Sequence, residues 1–149
     1  MFNSFEEIKN HFKEPDIFKM LDAIFKMKDI QNKAIILNLA QLERGEDANG
    51  KIIKTIGGSP YRPYTISVKK SKGQPTNIVT LEDTGAFYKT FKMKGYEITA
   101  NYDKPDGSIL DNFTSDFDFT GLTDTSLFEL VMESIYPELS KMLREQYVI

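Results

Sequence analysis

The chain has no cysteine, no tryptophan and a single histidine among its 149 residues. Without cysteine, disulfides and thiolate metal sites are excluded outright. His11, between Asn10 and Phe12, can neither build a histidine-rich metal site nor easily complete a catalytic triad, so it reads as a residue on a helix surface. No apolar run approaches the roughly 18–20 residues that a membrane span needs, and the acidic N-terminal stretch lacks the basic start of a secretory signal. The expectation is a protein of the cytosol, or one assembled from a cytosolic pool, with no membrane partner and no cofactor.

What is present is ordinary in total and uneven in distribution. Apolar residues make up 40% and charged residues 28%, and the length suits one domain able to bury a core without staples. The net charge of −3 hides a segregation. Residues 1–50 hold seven Lys/Arg against nine Asp/Glu, residues 51–94 hold nine against two, and residues 95–149 hold three against eleven. A molecule polarised in this way can stack or ring with copies of itself, because complementary potentials favour head-to-tail contacts.

The spacing of apolar residues predicts an α+β fold. Ser4 and Glu7 form a capping box for a short helix to about Lys13, and Pro15 interrupts it. Ile17, Met20, Leu21, Ile24 and Phe25 recur at helical spacing. Residues 30–44 are apolar on more than one face and stop at Arg44-Gly45, which suggests a long, central apolar helix buried in the domain or by a neighbouring subunit. Residues 45–63 are loop-like, with an Asn49-Gly50 turn. Tyr64–Val68 suits a strand or a short helix led by Pro63, and Lys69–Gly73 suits a basic hairpin end. Gly57-Gly58 lacks the Gly-Lys-Ser/Thr that a phosphate loop requires. Tyr96–Tyr102 alternates like a strand and pairs, through Lys94-Gly95, with the strand before it in a small antiparallel sheet. In the polar stretch 103–121, Phe113, Phe117 and Phe119 look like anchors. Thr123 caps a C-terminal helix with Leu127, Leu130, Val131 and Ile135 as its buried stripe, and Pro137 is expected to kink or restart that helix.

The organising stretch is Val79–Met93, an apolar run that turns at Asp83-Thr84-Gly85 and re-emerges as a strand. Gly85 supplies the freedom for positive φ, and Asp83 and Thr84 can bond back to nearby backbone. Aspartic proteases use the same triplet, but they need two carboxylates sharing a proton, and here the triplet occurs once. It therefore reads as a structural corner.

Taken in order, Ala34–Arg44, Gly45–Gly50, Pro63-Tyr64-Thr65 with Lys69 and Lys70, Leu81 through Thr84-Gly85 to Phe91, and Gly121-Leu122-Thr123 with the final helix resemble a family. It is that of the phage virion-morphogenesis and tail-completion proteins, small neck or tail-terminus components of tailed bacteriophages. The run Lys72–Thr76, Val79–Leu81, Asp83–Gly85 and Phe87-Tyr88 is similar to proteins of phages and prophages of Bacteroides-type bacteria, crAss-like phages among them. The likeness covers roughly residues 30–146. On it, residues 1–28 are an N-terminal helical extension and 29–149 the neck-like core of a single domain. The extra N-terminal helices and the acidic, Phe-bearing insert near 103–119 depart from the family pattern.

The resemblance implies a non-enzymatic virion protein, assembled in the host bacterial cytoplasm. Its subunits would form a six- or twelve-fold head–tail connector ring between portal and tail, touching the portal, other neck or tail proteins and the DNA that passes through without sequence recognition. The candidate interface or channel residues are Lys69, Lys70, Lys72, Lys89, Lys92 and Lys94. Two other functions compete. A nucleic-acid-binding module would use the basic 51–94 segment with Tyr61, Tyr64, Tyr88 and Phe91 as stacking platforms, though the acidic total argues against it. A hydrolase would draw on Asp83, Asp103, Asp106, Asp111, Asp116 and Asp118, which show no fixed metal-binding spacing.

Overall fold

A computed structural model describes residues 16–55, 61–82, 85–104, 107–113 and 116–147. The expected first helix, with Ser4, Glu7 and His11, lies outside the described residues, as do Asp83 and Thr84 of the corner. The architecture is mixed helix and strand. Its elements are α1 (Ile17–Phe25), α2 (Lys28–Glu43), α3 (Pro63–Ser71), a 3-10 turn (Tyr88–Thr90), the hairpin β1 (Lys92–Lys94) and β2 (Glu97–Thr99), the short ribbon β3 (Asp103–Lys104) and β4 (Gly107–Ser108), and a second 3-10 turn (Ile109–Asn112). The chain ends in α4 (Asp124–Leu130), a π turn (Val131–Ile135) and α5 (Tyr136–Tyr147), one continuous helical run.

Local chemistry sets the boundaries. Asp16 caps α1 by accepting from the Lys19 N–H at 3.1 Å. At the end of α2, Gly45 takes φ +75°, its N–H bonds Leu42 O at 2.9 Å, and the Glu46 N–H bonds Gln41 O at 3.0 Å. That pair of bonds is a Schellman ending, and it reverses the chain where the Arg44-Gly45 dipeptide suggested. Pro63 opens α3 at its first turn, where its missing N–H costs nothing, so Tyr64–Val68 is helical rather than a strand. Lys69 and Lys70 accordingly end a helix, not a hairpin.

α2 is the central helix, but it is not the apolar rod its aliphatic content suggested. Ile30, Ala34, Leu37 and Leu42 are buried on it, yet so are Asn38 and Gln41, while Ile36 is exposed. The two amides lie three residues apart, on one face of the helix. Asn38 Nδ2 donates to Phe119 O at 3.1 Å, and its Oδ1 accepts from the Gly121 N–H at 3.0 Å. Gln41 Nε2 donates to Gly121 O at 3.1 Å, and its Oε1 accepts from the Thr123 N–H at 2.9 Å. Four bonds therefore zip an irregular segment, 119–123, along the helix as a strand partner would. Gly121 has φ +137°, and a Cβ there would stand 3.1 Å from Ala48 Cβ, so glycine is needed on both counts.

The zipped segment delivers Thr123, which caps α4 by accepting from the Ser126 N–H at 3.3 Å, with Asp124 in the first turn. Leu130 and Ile135 are buried as expected, but Leu127 and Val131 are exposed and do not belong to the inward stripe. Lys33 fixes the rotation of this helix through ion pairs to Glu129 at 2.8 Å and Glu133 at 3.1 Å. The kink expected at Pro137 is not shown. The turn before this proline widens, with the Tyr136 N–H bonding Val131 O, and the helical path continues to Tyr147. Such a wide turn accommodates a residue that lacks an N–H and crowds the preceding carbonyl.

The core is one cluster to which α1, α2, the hairpin and the C-terminal run contribute, together with an aromatic group. Phe87 meets Phe91 edge-on at 5.1 Å, and Phe119 meets Phe113 at 5.2 Å and Phe117 at 6.3 Å. The three phenylalanines thus anchor the polar stretch as expected. Replacing Asn38 or Gln41 by Ala removes the partners of two buried or partly buried backbone groups each time and should cost about 2 kcal/mol. Urea unfolding monitored by circular dichroism checks this through a lowered midpoint at unchanged slope.

Candidate functional site

The register of the hairpin decides which lysines share a face. β1 pairs antiparallel with β2, with Lys92 opposite Thr99, Met93 opposite Ile98 and Lys94 opposite Glu97. Side chains alternate along a strand, so Met93 and Ile98 face the core while Lys92 and Lys94 stand together on the outer face. Lys89, exposed on the 3-10 turn, joins them. Lys89, Thr90, Lys92, Thr99, Ala100 and Asn101 line an open hollow of about 430 Å³. Thr90 holds it together, because its Oγ1 donates to Phe87 O at 2.7 Å and accepts from the Asn101 N–H at 3.0 Å. The tip of the hairpin is pinned to α1, where the Tyr96 hydroxyl donates to Asp22 and its ring lies 4.6 Å from that of Phe25.

The α3 lysines separate into two kinds. Lys70 and Lys72 are exposed at the end of the helix, but Lys69 is only 6% exposed. Its ammonium sits 4.7 Å from the centre of the Tyr61 ring and donates to Glu82 O at 2.9 Å and Gln74 Oε1 at 3.4 Å. Lys69 is therefore removed from the channel or interface set: it fastens α3 to the segment after it. The neighbouring backbone of Thr80 is gripped from both sides, as its N–H donates to the Tyr61 hydroxyl at 3.1 Å and its carbonyl accepts from the Tyr88 hydroxyl. Leu81, just beyond, adopts φ +56°, a strained conformation for a bulky side chain. Gly85 has the expected positive φ, +74°, with open space around it.

These positions weigh on the competing functions. Tyr61 and Tyr88 are half-buried and Phe91 is buried, so of the four aromatics offered as stacking platforms only Tyr64, 81% exposed, faces outward. The acidic insert is occupied with its own backbone. Asp111 accepts from the Ser108 N–H at 2.8 Å, closing a capping box, and Asp118 accepts from the Thr120 N–H at 3.1 Å. Asp103 lies in β3, Asp116 is exposed, and Asp83 and Asp106 lie outside the described residues. Among the described residues no group of three His, Cys, Asp or Glu is placed to hold a metal ion, and no helix is long and apolar enough to cross a membrane.

One carboxylate that drew no attention in the sequence is fully buried. Asp47 accepts from the Asn49 N–H at 2.9 Å, the Lys51 N–H at 2.7 Å and the Asp118 N–H at 3.3 Å. It shapes the Asn49-Gly50 turn and joins it to the insert. The only sequence signal was an Asp two residues before Asn-Gly, a common turn arrangement. Comparison of the chain with protein-family models, curated proteins and solved structures finds no match.

Two predictions separate structural from surface groups. Lys69→Glu places a carboxylate against the Glu82 carbonyl and the Tyr61 ring face and should cost about 3 kcal/mol or more, whereas Lys70→Glu should stay within about 0.5 kcal/mol. Denaturant midpoints of the two variants check this. Burial, reinforced by Glu43, Glu82 and Tyr61, pushes the Tyr88 phenol well above its usual range. The raised group binds its proton more tightly when folded, so its stabilisation is complete below about pH 10 and is lost as pH rises through the folded value. Tyr88→Phe should flatten the loss of stability between about pH 10 and 11, at a cost of about 1 kcal/mol near neutrality for the missing Thr80 bond. Melting temperatures across that range supply the test.

Proposed function

We propose that this chain is a structural subunit of a tailed-bacteriophage virion, a neck or tail-completion protein forming a ring between portal and tail around the DNA channel. The observation that supports this best is the uneven distribution of charge along the chain. Lys89, Lys92 and Lys94 share the exposed outer face of the hairpin with one acid, Glu97 opposite Lys94, and residues 95–149 as a whole, with eleven acidic residues against three basic ones, carry the opposite sign. A ring of such subunits presents one element of each sign to its neighbours or to its bore. Lysines on flexible stems touch phosphates as point charges and carry no base readout, which suits DNA that must slide through. Lys70 and Lys72 belong to the same exposed basic set. The non-catalytic role follows from the same reading, since a connector needs fixed geometry and no reacting group.

Quantitative mass spectrometry of the purified phage encoding this chain, scaled to the major capsid protein, tests the proposal. A copy number of about six or twelve is expected for a closed ring; absence of the chain from the particle overturns it. Changing Lys89, Lys92 and Lys94 together to Gln should shift the melting temperature by no more than about 2 °C, because all three are exposed and no like charges are set opposite Glu97. The same variant should lower the yield of infectious particles, and an unchanged yield would remove these lysines from the ring's working surface.

A further inference from the structure

The C-terminal helical run exposes two adjacent rows of apolar side chains. Phe128, Met132 and Tyr136, spaced by four, are 67%, 48% and 58% exposed. Leu127 and Val131 form a second exposed row beside them. The helix cannot roll to hide these rows. Leu130 and Ile135 are already buried on its inner side, Thr123 caps its start, and Lys33 holds Glu129 and Glu133. The result is an apolar strip about 12 Å long, from the rise of eight helical residues, and contiguous exposed patches of this kind mark interaction surfaces.

The charges around the strip select what covers it. Asp124 lies one turn before Phe128, Glu129 and Glu133 on the flank share the single ammonium of Lys33, and Glu138 after Tyr136 pairs with Lys141, so four carboxylates face two lysines and the surround stays acidic. Two strips face to face would set these carboxylates against each other, which disfavours a symmetric contact. A basic surface with an aromatic of its own fits better, and the same chain carries one. The exposed side of α3 presents Tyr64, with Arg62 before it and Lys70 six residues on, about a third of the way round the helix, all exposed. Tyr and Arg are also the side chains most enriched at the energetic centres of interfaces.

We infer that the Phe128–Met132–Tyr136 strip of one copy docks on the Tyr64 face of α3 of a second copy, with Arg62 and Lys70 toward the acidic flank. The contact joins two different surfaces, so a joined pair keeps one unused surface of each kind and association propagates until it closes. This deepens the ring proposed above. It is read on the isolated chain, however, so a chain absent from the virion would sink the neck assignment and leave the contact standing, while failure here would leave the virion measurement untouched.

The experiment is sedimentation of the purified full-length chain, alone and in mixtures. The wild type should associate with rising concentration, less so at high salt. Phe128→Glu and Tyr64→Glu should each abolish association, because a charge enters a contact that must be dry. Phe128→Ala should raise the dissociation constant about fivefold or more. Mixed in equal amounts, Phe128→Glu and Tyr64→Glu should form dimers that stop at two, since one retains the α3 face and the other the strip. Met132→Glu replaces Phe128→Glu if the latter fails to fold. A wild type still monomeric at about 1 mM overturns the inference. Unimpaired association of Tyr64→Glu overturns it equally, and so does a mixture that remains monomeric.

Discussion

The fold depends on two side-chain amides. Asn38 and Gln41, wholly buried on α2, hold the backbone of residues 119–123 through four hydrogen bonds. No helix or sheet ladder satisfies that segment. It is irregular, it runs beside a helix rather than a strand, and a buried backbone group without a partner costs about 1–3 kcal/mol. Aliphatic residues at 38 and 41 would improve the packing of α2 in isolation, yet they would leave the segment's polar groups orphaned. The polar interior here specifies where one stretch of chain lies against another. Among the described residues no buried side-chain nitrogen or oxygen is without a partner, as such a device requires.

From that clamp the remaining geometry follows outward. Phe119 at the head of the segment is driven into the aromatic group that seats Phe113, Phe117 and Tyr102. Gly121 passes close to Ala48, where Asp47 binds the Asn49-Gly50 turn to Asp118, so the loop after α2 and the insert before α4 fasten to each other. Thr123, held by Gln41, starts α4 at a fixed point and angle. Lys33, on the same helix as the amides, then sets the rotation of the C-terminal run through Glu129 and Glu133.

Periodicity and turn chemistry made much of this visible beforehand. The Gly45 ending, the Asn49-Gly50 turn, the Lys94-Gly95 hairpin, the Thr123 cap and the three anchoring phenylalanines all rest on local bonds or on alternation, which a sequence carries openly. What it carried poorly was the meaning of polar residues inside an apolar pattern. In residues 30–44 the aliphatic side chains outnumber the amides, so Asn38 and Gln41 read as interruptions of a greasy helix, when they are its most specific contacts. Lys69 misled in the same way, because only the tertiary placement of Tyr61 and Glu82 distinguishes it from Lys70 one residue later. In the C-terminal helix two apolar rows compete, and counting residues does not say which faces in. Leu130 and Ile135 do, while Phe128, Met132 and Tyr136 do not.

The interior clamp and the exterior strip lie on consecutive stretches of one chain, and this bears on assembly. An interface whose residues must be ordered on contact loses affinity to conformational entropy, roughly 0.5–1.5 kcal/mol for each immobilised side chain and more for a mobile backbone. The exposed rows on α4 and the π turn avoid the backbone part of that cost, because the helix beneath them is already capped by Thr123, tied to α2 by Lys33 and seated by Leu130 and Ile135. The lysines of the hairpin are carried in a comparable way on a strand pair whose tip is pinned to α1 through Tyr96. On the ring reading proposed above, a subunit that meets others needs its contact surfaces rigid before the encounter. Buried polar bonds at the centre of this chain, together with capped helices at its edge, supply that rigidity.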